Sequence, residues 1–481
     1  MSDDVTLQTQ DWLSGGDDLA GPSRLGLALA WSIEEPHRVG EVVLPARTEI
    51  LGRDAAPGPS RSALLQQRPG RNHLSGPLSG RGISRDQLSL RPDGSQLILR
   101  NLGRGALLVN GAERPAQQDV PVREGDRVAI QRKALFLVVR RPAALPAMLP
   151  NAGSASLDSP FGRADRHGIV GESPAAWALR EALAFAGPRD IHTLLLGPSG
   201  TGKELAARAL HELSTRRDGA FVSRNAATLP EGIVDAELFG NARNYPNPGM
   251  AERHGLVGAA HQGSFFLDEI GELPHALQAR LLRVLDADGE YQRLGEARTR
   301  RSDLRLIAAT NQAPTQLKHD FNARFRLFVE LPPLQERRED IPLLVYHLLR
   351  AACADPELAG RYLDEGGYAR VSPALMEALL RHDYTHHVRE LDALLWASLS
   401  SSGERFLDLT DAVRRRLTVG GDSWTDWLGR PAADIPPEVL QACLDAHNGS
   451  QKDTCEALGL ESRHQLARLV KKYGLVIRRG G

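Results

Sequence analysis

Cysteine is scarce in this chain, with three in 481 residues, Cys353, Cys443 and Cys455. The odd count and the lack of metal-ligand spacing argue against a disulfide framework and fit a reducing, cytoplasmic setting. No run of about twenty apolar residues occurs, so no membrane-spanning helix is expected. The first residues, MSDDVTLQTQDW, are acidic and have no apolar centre, unlike a secretory signal. An excess of one charge is missing too. The 59 lysines and arginines face 60 aspartates and glutamates, for a net charge of −1. The chain is therefore no general polyanion binder, and any contact with nucleic acid must come from a local patch. What remains is ordinary globular composition, 41% apolar and 25% charged, at a length that predicts two to four domains.

The pattern along the chain divides it. Residues 1–24 are acidic and Gly-rich and read as a flexible tail. Over 25–141, short apolar runs (LALAWSI, EVVLPA, QLSLRP, QLILRNL, ALLVNG, RVAIQ, ALFLVV) alternate with Gly, Pro, Asn and Asp, which predicts a β-sandwich. Residues 142–165 are rich in Pro, Ala, Ser and Gly and read as a linker. Over 166–334 strand-like runs such as HTLLLG and GSFFLDEI alternate with helical ones such as KELAARALHEL, which predicts an α/β domain with a parallel sheet. Helical periodicity over 335–402 predicts a small lid. Residues 403–434 read as a second linker, and 435–481 as an all-α module of short helices.

The α/β region carries the chemistry. Gly197-Pro-Ser199-Gly200-Thr201-Gly202-Lys203 has the spacing GxxxxGK, after an apolar strand and at the start of a helix. Glycines there let backbone N–H groups turn onto phosphates, the helix start adds partial positive charge, and Lys203 reaches the β- and γ-phosphates. The residue after the lysine is Glu204, where Ser or Thr usually serves magnesium. Downstream, Phe265-Phe-Leu-Asp268-Glu269 is an apolar strand ending in two acids, one suited to magnesium and one to polarising the attacking water. A third strand, LRLIAAT, ends at Asn311, where a γ-phosphate could be sensed.

With these strings on the page, residues 169–399 resemble the AAA+ domain of sigma-54-dependent transcriptional activators, the bacterial enhancer-binding proteins. The strings are GPSGTGKE, SRNAATLPEGIVDAELFG, GSFFLDEIGELPHALQARLLRVLD, RLIAATN, LPPLQERREDIPLL and HHVRELDALL. The resemblance implies binding and hydrolysis of ATP with Mg2+ by an oligomeric ring. It makes Asp268 and Glu269 the Walker B pair, Asn311 the first sensor, Asn225 the switch asparagine and Arg389 the second sensor. It also puts Val170 and Gly171 beside the adenine. The family's FRxDLYYR pattern aligns with Leu317–Arg324. Arg324 matches one trans-acting arginine and Lys318 replaces the other, so reduced hydrolysis is expected. His382, His386 and His387 read as a lid turn rather than a ligand set.

The β-rich region resembles a forkhead-associated domain, on Leu51-Gly52-Arg53, Ile83-Ser84-Arg85, Asn101-Leu-Gly103 and Val109-Asn110-Gly111. This implies recognition of phosphothreonine in a partner protein or kinase, with Arg53 and Ser84 on the phosphate and Arg85 in support. Gln87 stands where the family has histidine, and the stretch between Gly52 and Ser84 reads as a long Gly/Arg-rich loop. The C-terminal segment resembles the Fis-type helix-turn-helix of the same activators. Its last helix carries Ser462, Arg463, His464, Gln465, Arg468, Lys471 and Lys472 as DNA contacts, with Arg478 and Arg479 beyond. Leu458, Leu466, Leu469, Val470, Cys443 and Cys455 fall at core spacing.

One family feature is missing. The GAFTGA loop that grips sigma-54 follows Glu237-Leu-Phe-Gly240 in the family, but here Asn241-Ala-Arg-Asn-Tyr-Pro-Asn-Pro-Gly249 follows. Pro246 and Pro248 fix φ and remove two donors, so a stiffer tip is expected. Three functions compete: an ATP-driven regulator under phosphoprotein control that works with sigma-54 RNA polymerase, a sigma-54-independent DNA-binding regulator that uses ATP to set its oligomeric state, and a phosphopeptide-binding scaffold with a vestigial ATPase.

Overall fold

A computed structural model describes residues 23–53, 60–148, 157–229, 233–286, 288–403, 405–419, 435, 437–446, 450–460, 462–473 and 475. Most of the tail at 1–24, residues 149–156 of the first linker, 420–434 of the second, and Arg478 and Arg479 lie outside the described residues. The chain divides into two compact units, Met1–Leu380 with His386–Asp408, and Arg381–Thr385 with Leu409–Gly481.

The first unit begins with the sandwich. An eight-stranded sheet is built on Ser23–Ser32, paired antiparallel along its length with Ala134–Pro142, and a four-stranded sheet contains Asp119–Val122, Gln96–Asn101, Leu88–Asp93 and Glu49–Leu51. Leu25, Leu27 and Leu29 meet Leu90, Leu99, Val128 and Phe136 between the sheets. Alternate positions on these two paired strands, Ala28, Ala30, Leu135 and Leu137, are buried as well. A register shift falls between Leu29 and Trp31, which pairs Trp31 with Leu135. The near-continuous apolar run LALAW thus fits a strand covered on both faces.

The stretch between Gly52 and Ser84 corrects one expectation. It is not simply a loop, because Leu64–Arg68 and Arg71–Gly76 form an antiparallel hairpin at the sheet edge. Arg71, Asn72, His73 and Leu74 are exposed, so the second strand lacks the alternation that would mark it. The two linkers need correction in part. Asp165 is buried against Arg180, and Asp411–Val419 is a helix.

The α/β domain holds a five-stranded parallel sheet in the order Phe221–Asn225, Ser264–Asp268, Arg305–Thr310, Thr193–Leu196, Leu327–Glu330. The inner strands Thr193–Leu196, Ser264–Asp268 and Arg305–Thr310 read as largely apolar runs because both faces are covered, while the edge strand Phe221–Asn225 (FVSRN) is half-exposed. Helices Pro174–Ala186 and Lys203–Glu212 bury Leu179, Leu183 and Leu210 with Phe266 and Ile307. Helix His275–Leu285 buries Leu277 and Leu281 with Phe265, Leu267 and Leu306. The lid follows as helices Ile341–Ala352, Pro356–Tyr362, Pro373–Arg381 and His387–Ser401.

After helix Asp411–Val419, the described residues of the second unit form three more short helices, Pro437–Ala446, Gln451–Leu458 and Arg463–Tyr473. Cys443, Cys455, Leu458, Leu466 and Leu469 are buried in one cluster with Leu440 and Leu444, and Val470 packs against it. The Ser450 hydroxyl caps the second helix by accepting from Asp453 N, and Gly459 ends it with φ +62°.

Candidate functional site

The ends of the parallel strands open onto a cavity of about 480 Å3 between the sheet domain and its lid. Strand Thr193–Leu196 delivers the chain into the glycine loop. Gly200 has φ +85°, and a Cβ there would lie 2.1 Å from the His386 carbonyl oxygen. Gly202, at φ +104°, caps the helix that starts at Lys203, and a Cβ on it would meet nothing within 4 Å. The loop is therefore pressed against the lid at one glycine and open at the other. The Lys203 ammonium donates to the carbonyls of Gly197 (2.9 Å) and Pro198 (3.0 Å). Burial pushes it below its ordinary value, against the pull of Asp268 and Glu269.

Strand Ser264–Asp268 brings the paired acids to the same cavity. Burial pushes the Asp268 carboxyl above its ordinary value, while the Glu269 N–H, donating to Asp268 Oδ1 at 2.9 Å, opposes the shift. Asn225 ends the neighbouring strand and accepts from Ala227 N at 2.8 Å. From the lid, Arg389 donates to Ser199 Oγ at 3.4 Å and Val388 N to the Gly200 carbonyl at 3.2 Å. Val170, Ser199, Gly200, Thr201, Gly202, Lys203, Glu204, Asn225, Asp268, Glu269 and Arg389 all line the cavity. Gly171, Gly197, Asn311 and Arg324 are not among its lining residues. Asn311 follows strand Arg305–Thr310 and is exposed, and Arg324 pairs on the surface with Asp286 at 2.7 Å.

Sequence reasoning gave no role to several lining residues, including Arg337, Leu344, His347, Leu348 and Asp392. Arg337 is 4% exposed, donates to the Thr201 carbonyl at 3.3 Å, and has an Nε with no hydrogen-bond partner. It sits in the charged run QERRED, which looks like a solvated surface. The available signal was its place directly after LPPL, where the chain passes from sheet to lid.

The other two candidate sites are separate. In the sandwich a Cβ on Gly52 would lie 1.9 Å from the Arg85 carbonyl oxygen, so glycine permits the contact of the two loops, and Arg53 N donates to the Ser84 carbonyl at 3.0 Å. Ser84 Oγ accepts from Arg104 N at 3.3 Å. Gln87 is buried, accepts from Ser84 N and donates to Asn101 Oδ1, both at 3.0 Å, so it ties the Ser84 loop to strand Gln96–Asn101. In the last helix Leu466 and Leu469 point into the core. Ser462, Arg463, His464, Arg468, Lys471 and Lys472 are exposed and Gln465 half-buried.

The stretch after Gly240 forms a compact hairpin. Asn241 exchanges backbone hydrogen bonds with Arg253, Asn244 N donates to the Met250 carbonyl, and Ala242 N to that of Leu294. Asn241 Nδ2 donates to the carbonyls of Ala242, Tyr245 and Ala251 at 2.9, 3.3 and 3.0 Å. Arg293 holds it from below through Glu252 and His254.

A glycine loop at a helix start, paired acids at the end of a strand separated from the loop's own strand by Arg305–Thr310, this strand order and a helical lid define an AAA+ P-loop domain. The profile of the Sigma-54 interaction domain matches residues 169–335. The chain is 33% identical over 329 residues to the transcriptional regulatory protein ZraR of Salmonella typhimurium, covering 67% of this chain and 72% of ZraR. It is 35% identical over 394 residues to the DNA-binding transcriptional regulator NtrC of Azospirillum brasilense, covering 78% and 75%. The solved structure of NtrX from Brucella abortus in complex with ADP aligns at 28% identity with a TM-score of 0.46, over 64% of this chain and 70% of that one. The chain belongs to the family of sigma-54-dependent transcriptional regulators. Among the described residues no helix is long and apolar enough to cross a membrane.

Proposed function

We propose that this protein is a DNA-binding transcriptional regulator whose AAA+ domain assembles into rings, binds ATP with magnesium and hydrolyses it, under the control of a phosphothreonine-bearing protein at the N-terminal sandwich. The observation that carries the reading is the convergence of Lys203, Asp268, Glu269, Asn225 and Arg389 on one cavity of nucleotide size. Lys203 would hold the β- and γ-phosphates, and Glu269 would polarise the attacking water. Asp268 would hold magnesium, an ion that suits one carboxylate together with phosphate oxygens. Calorimetry with ATP and magnesium tests this. Lys203→Ala should lose binding by more than tenfold, roughly the loss of a charged hydrogen bond, and Glu269→Gln should keep binding and lose turnover. Unchanged affinity in Lys203→Ala would sink the assignment.

Two further contacts belong to this reading. Arg53 and Ser84, with Arg85 in support, would hold a phosphothreonine, so Arg53→Ala should bind a phosphopeptide library no better than its unphosphorylated twin. The last helix of a Fis-type helix-turn-helix, with Ser462, Arg463, His464, Gln465, Arg468, Lys471 and Lys472 outward, would meet DNA, with an affinity that falls steeply with salt. A truncation before Pro437 that still shifts the operator would refute that part.

The hairpin from Asn241 to Arg253 favours a second reading of the output. It lacks the GAFTGA residues and is tied down by Asn241 and Arg293, so the protein would not grip sigma-54 in the usual way. ATP-dependent open-complex formation at a sigma-54 promoter that disappears on deletion of residues 244–249 would overturn this second reading.

A further inference from the structure

The wall of the cavity that carries Ile169 and Val170 is pinned from several directions. Arg180 donates to the carbonyls of Ile169 and Gly171, each at 2.8 Å. Asp340 accepts from Glu172 N and Ser173 N at 2.8 and 2.9 Å. The third anchor comes from another domain. Arg68, the last residue of sandwich strand Leu64–Arg68, makes a bidentate pair with the Glu172 carboxylate, Nη2 to Oε1 at 2.6 Å and Nε to Oε2 at 3.2 Å. Both side chains are buried, at 8% and 3% exposure. Arg68 Nη1 donates to the carbonyls of Leu157 and Ser159, and the guanidinium lies 5.5 Å from the ring centres of Phe161 and Trp177. Trp177 Nε1 and Gly162 N also donate to Glu172. A second sandwich arginine, Arg141, pairs at 2.9 Å with Glu339, the neighbour of Asp340.

We propose that Arg68 is a positioning residue for the nucleotide, acting from the N-terminal sandwich through Glu172 on the cavity wall at Ile169 and Val170. The proposal rests on the nucleotide reading above and adds to it a residue from a different domain. Without the guanidinium, Glu172 is an uncompensated charge among aromatic rings. It must draw in water or another partner, and the wall two residues away moves with it. That wall is apolar and suits a purine base, whereas Lys203 and the glycine loop suit phosphates. Loss of Arg68 therefore weakens contacts to the base and spares those to the phosphates.

Calorimetry on the full-length protein decides this, with ATP and inorganic tripolyphosphate as separate probes, each with magnesium. Arg68→Ala should weaken ATP by at least about fivefold, the lower end of measured couplings between sites, and leave tripolyphosphate affinity unchanged. Arg68→Lys keeps the charge and loses the fork, so it should fall between wild type and Arg68→Ala for ATP alone. Wild-type ATP affinity in Arg68→Ala overturns the proposal and leaves the nucleotide reading standing. If Arg68→Ala loses both ligands, Arg68→Lys decides. A selective loss of ATP supports the proposal, and wild-type affinity or loss of both ligands overturns it. A wild-type protein that binds neither probe overturns the nucleotide reading and this proposal with it.

Discussion

Burial disfavours the charged form of several side chains around the parallel sheet. His192 accepts from Leu306 N through Nδ1, and His211 lies against Ser264 and Phe221. Burial pushes both imidazoles below their ordinary value. The unfolded chain therefore takes up protons below about pH 6.5 that the folded chain refuses, so stability rises with pH through that window and is lost on acidification. The urea midpoint of the first unit should fall between about pH 7.5 and pH 5.5, and His192→Gln should flatten that fall. An unaltered slope in the variant would assign the effect elsewhere. At this scale the site was legible where chemistry prescribes the residue: Gly200, Gly202, Lys203, Asp268 and Glu269 were read directly. Arg337 was not, because an arginine inside a run of charges gives no sign that it is buried.

Among elements, legibility followed the clarity of the apolar period. The parallel strands in HTLLLG, GSFFLDEI and LRLIAAT and the sandwich strands LALAWSI and ALFLVV stood out, while Phe221–Asn225 and Leu327–Glu330 did not. The hairpin Leu64–Gly76 did not, since its outer strand is polar and its pairing depends on a partner strand rather than on its own pattern. The hairpin Asn241–Arg253 is held in part by a side chain that no periodicity could identify. Asn241 is 1% exposed, and the two N–H groups of its Nδ2 are shared among three carbonyls. Asn241→Ala should cost about 1–3 kcal/mol, the penalty for buried polar groups left without partners. Amide hydrogen exchange reads this directly, and residues 242–251 should exchange faster while the parallel sheet keeps its protection. Equal protection in the variant would show that the hairpin is held by Arg293 and its partners instead.

For the whole molecule, the question is where Arg324 would act under the proposed function. Arg324 does not line the cavity of its own chain and is engaged on the surface with Asp286. In a ring it would serve a neighbouring subunit, where a charge delivered in trans stabilises the transition state. Mixing Arg324→Ala subunits with Glu269→Gln subunits should restore turnover above that of either variant alone, because some interfaces then pair an intact glutamate with an intact arginine. Mixtures that stay at the level of the separate variants would count against action of Arg324 in trans.

The double burial of strand Ser23–Ser32 has a practical side. Its outward residues and those of its partner lie beside lid contacts made by Trp31, whose Nε1 donates to the Val371 carbonyl, and by Gly40, which abuts Leu343. Leu343 and Val371 are 3% and 1% exposed as the chain stands. A recombinant fragment beginning near residue 166 would uncover that greasy seam and invite aggregation. The sandwich is thus a poor candidate for domain swapping in engineered regulators, and soluble expression of the AAA+ domain by itself would call for polar replacements at Leu343 and its neighbours.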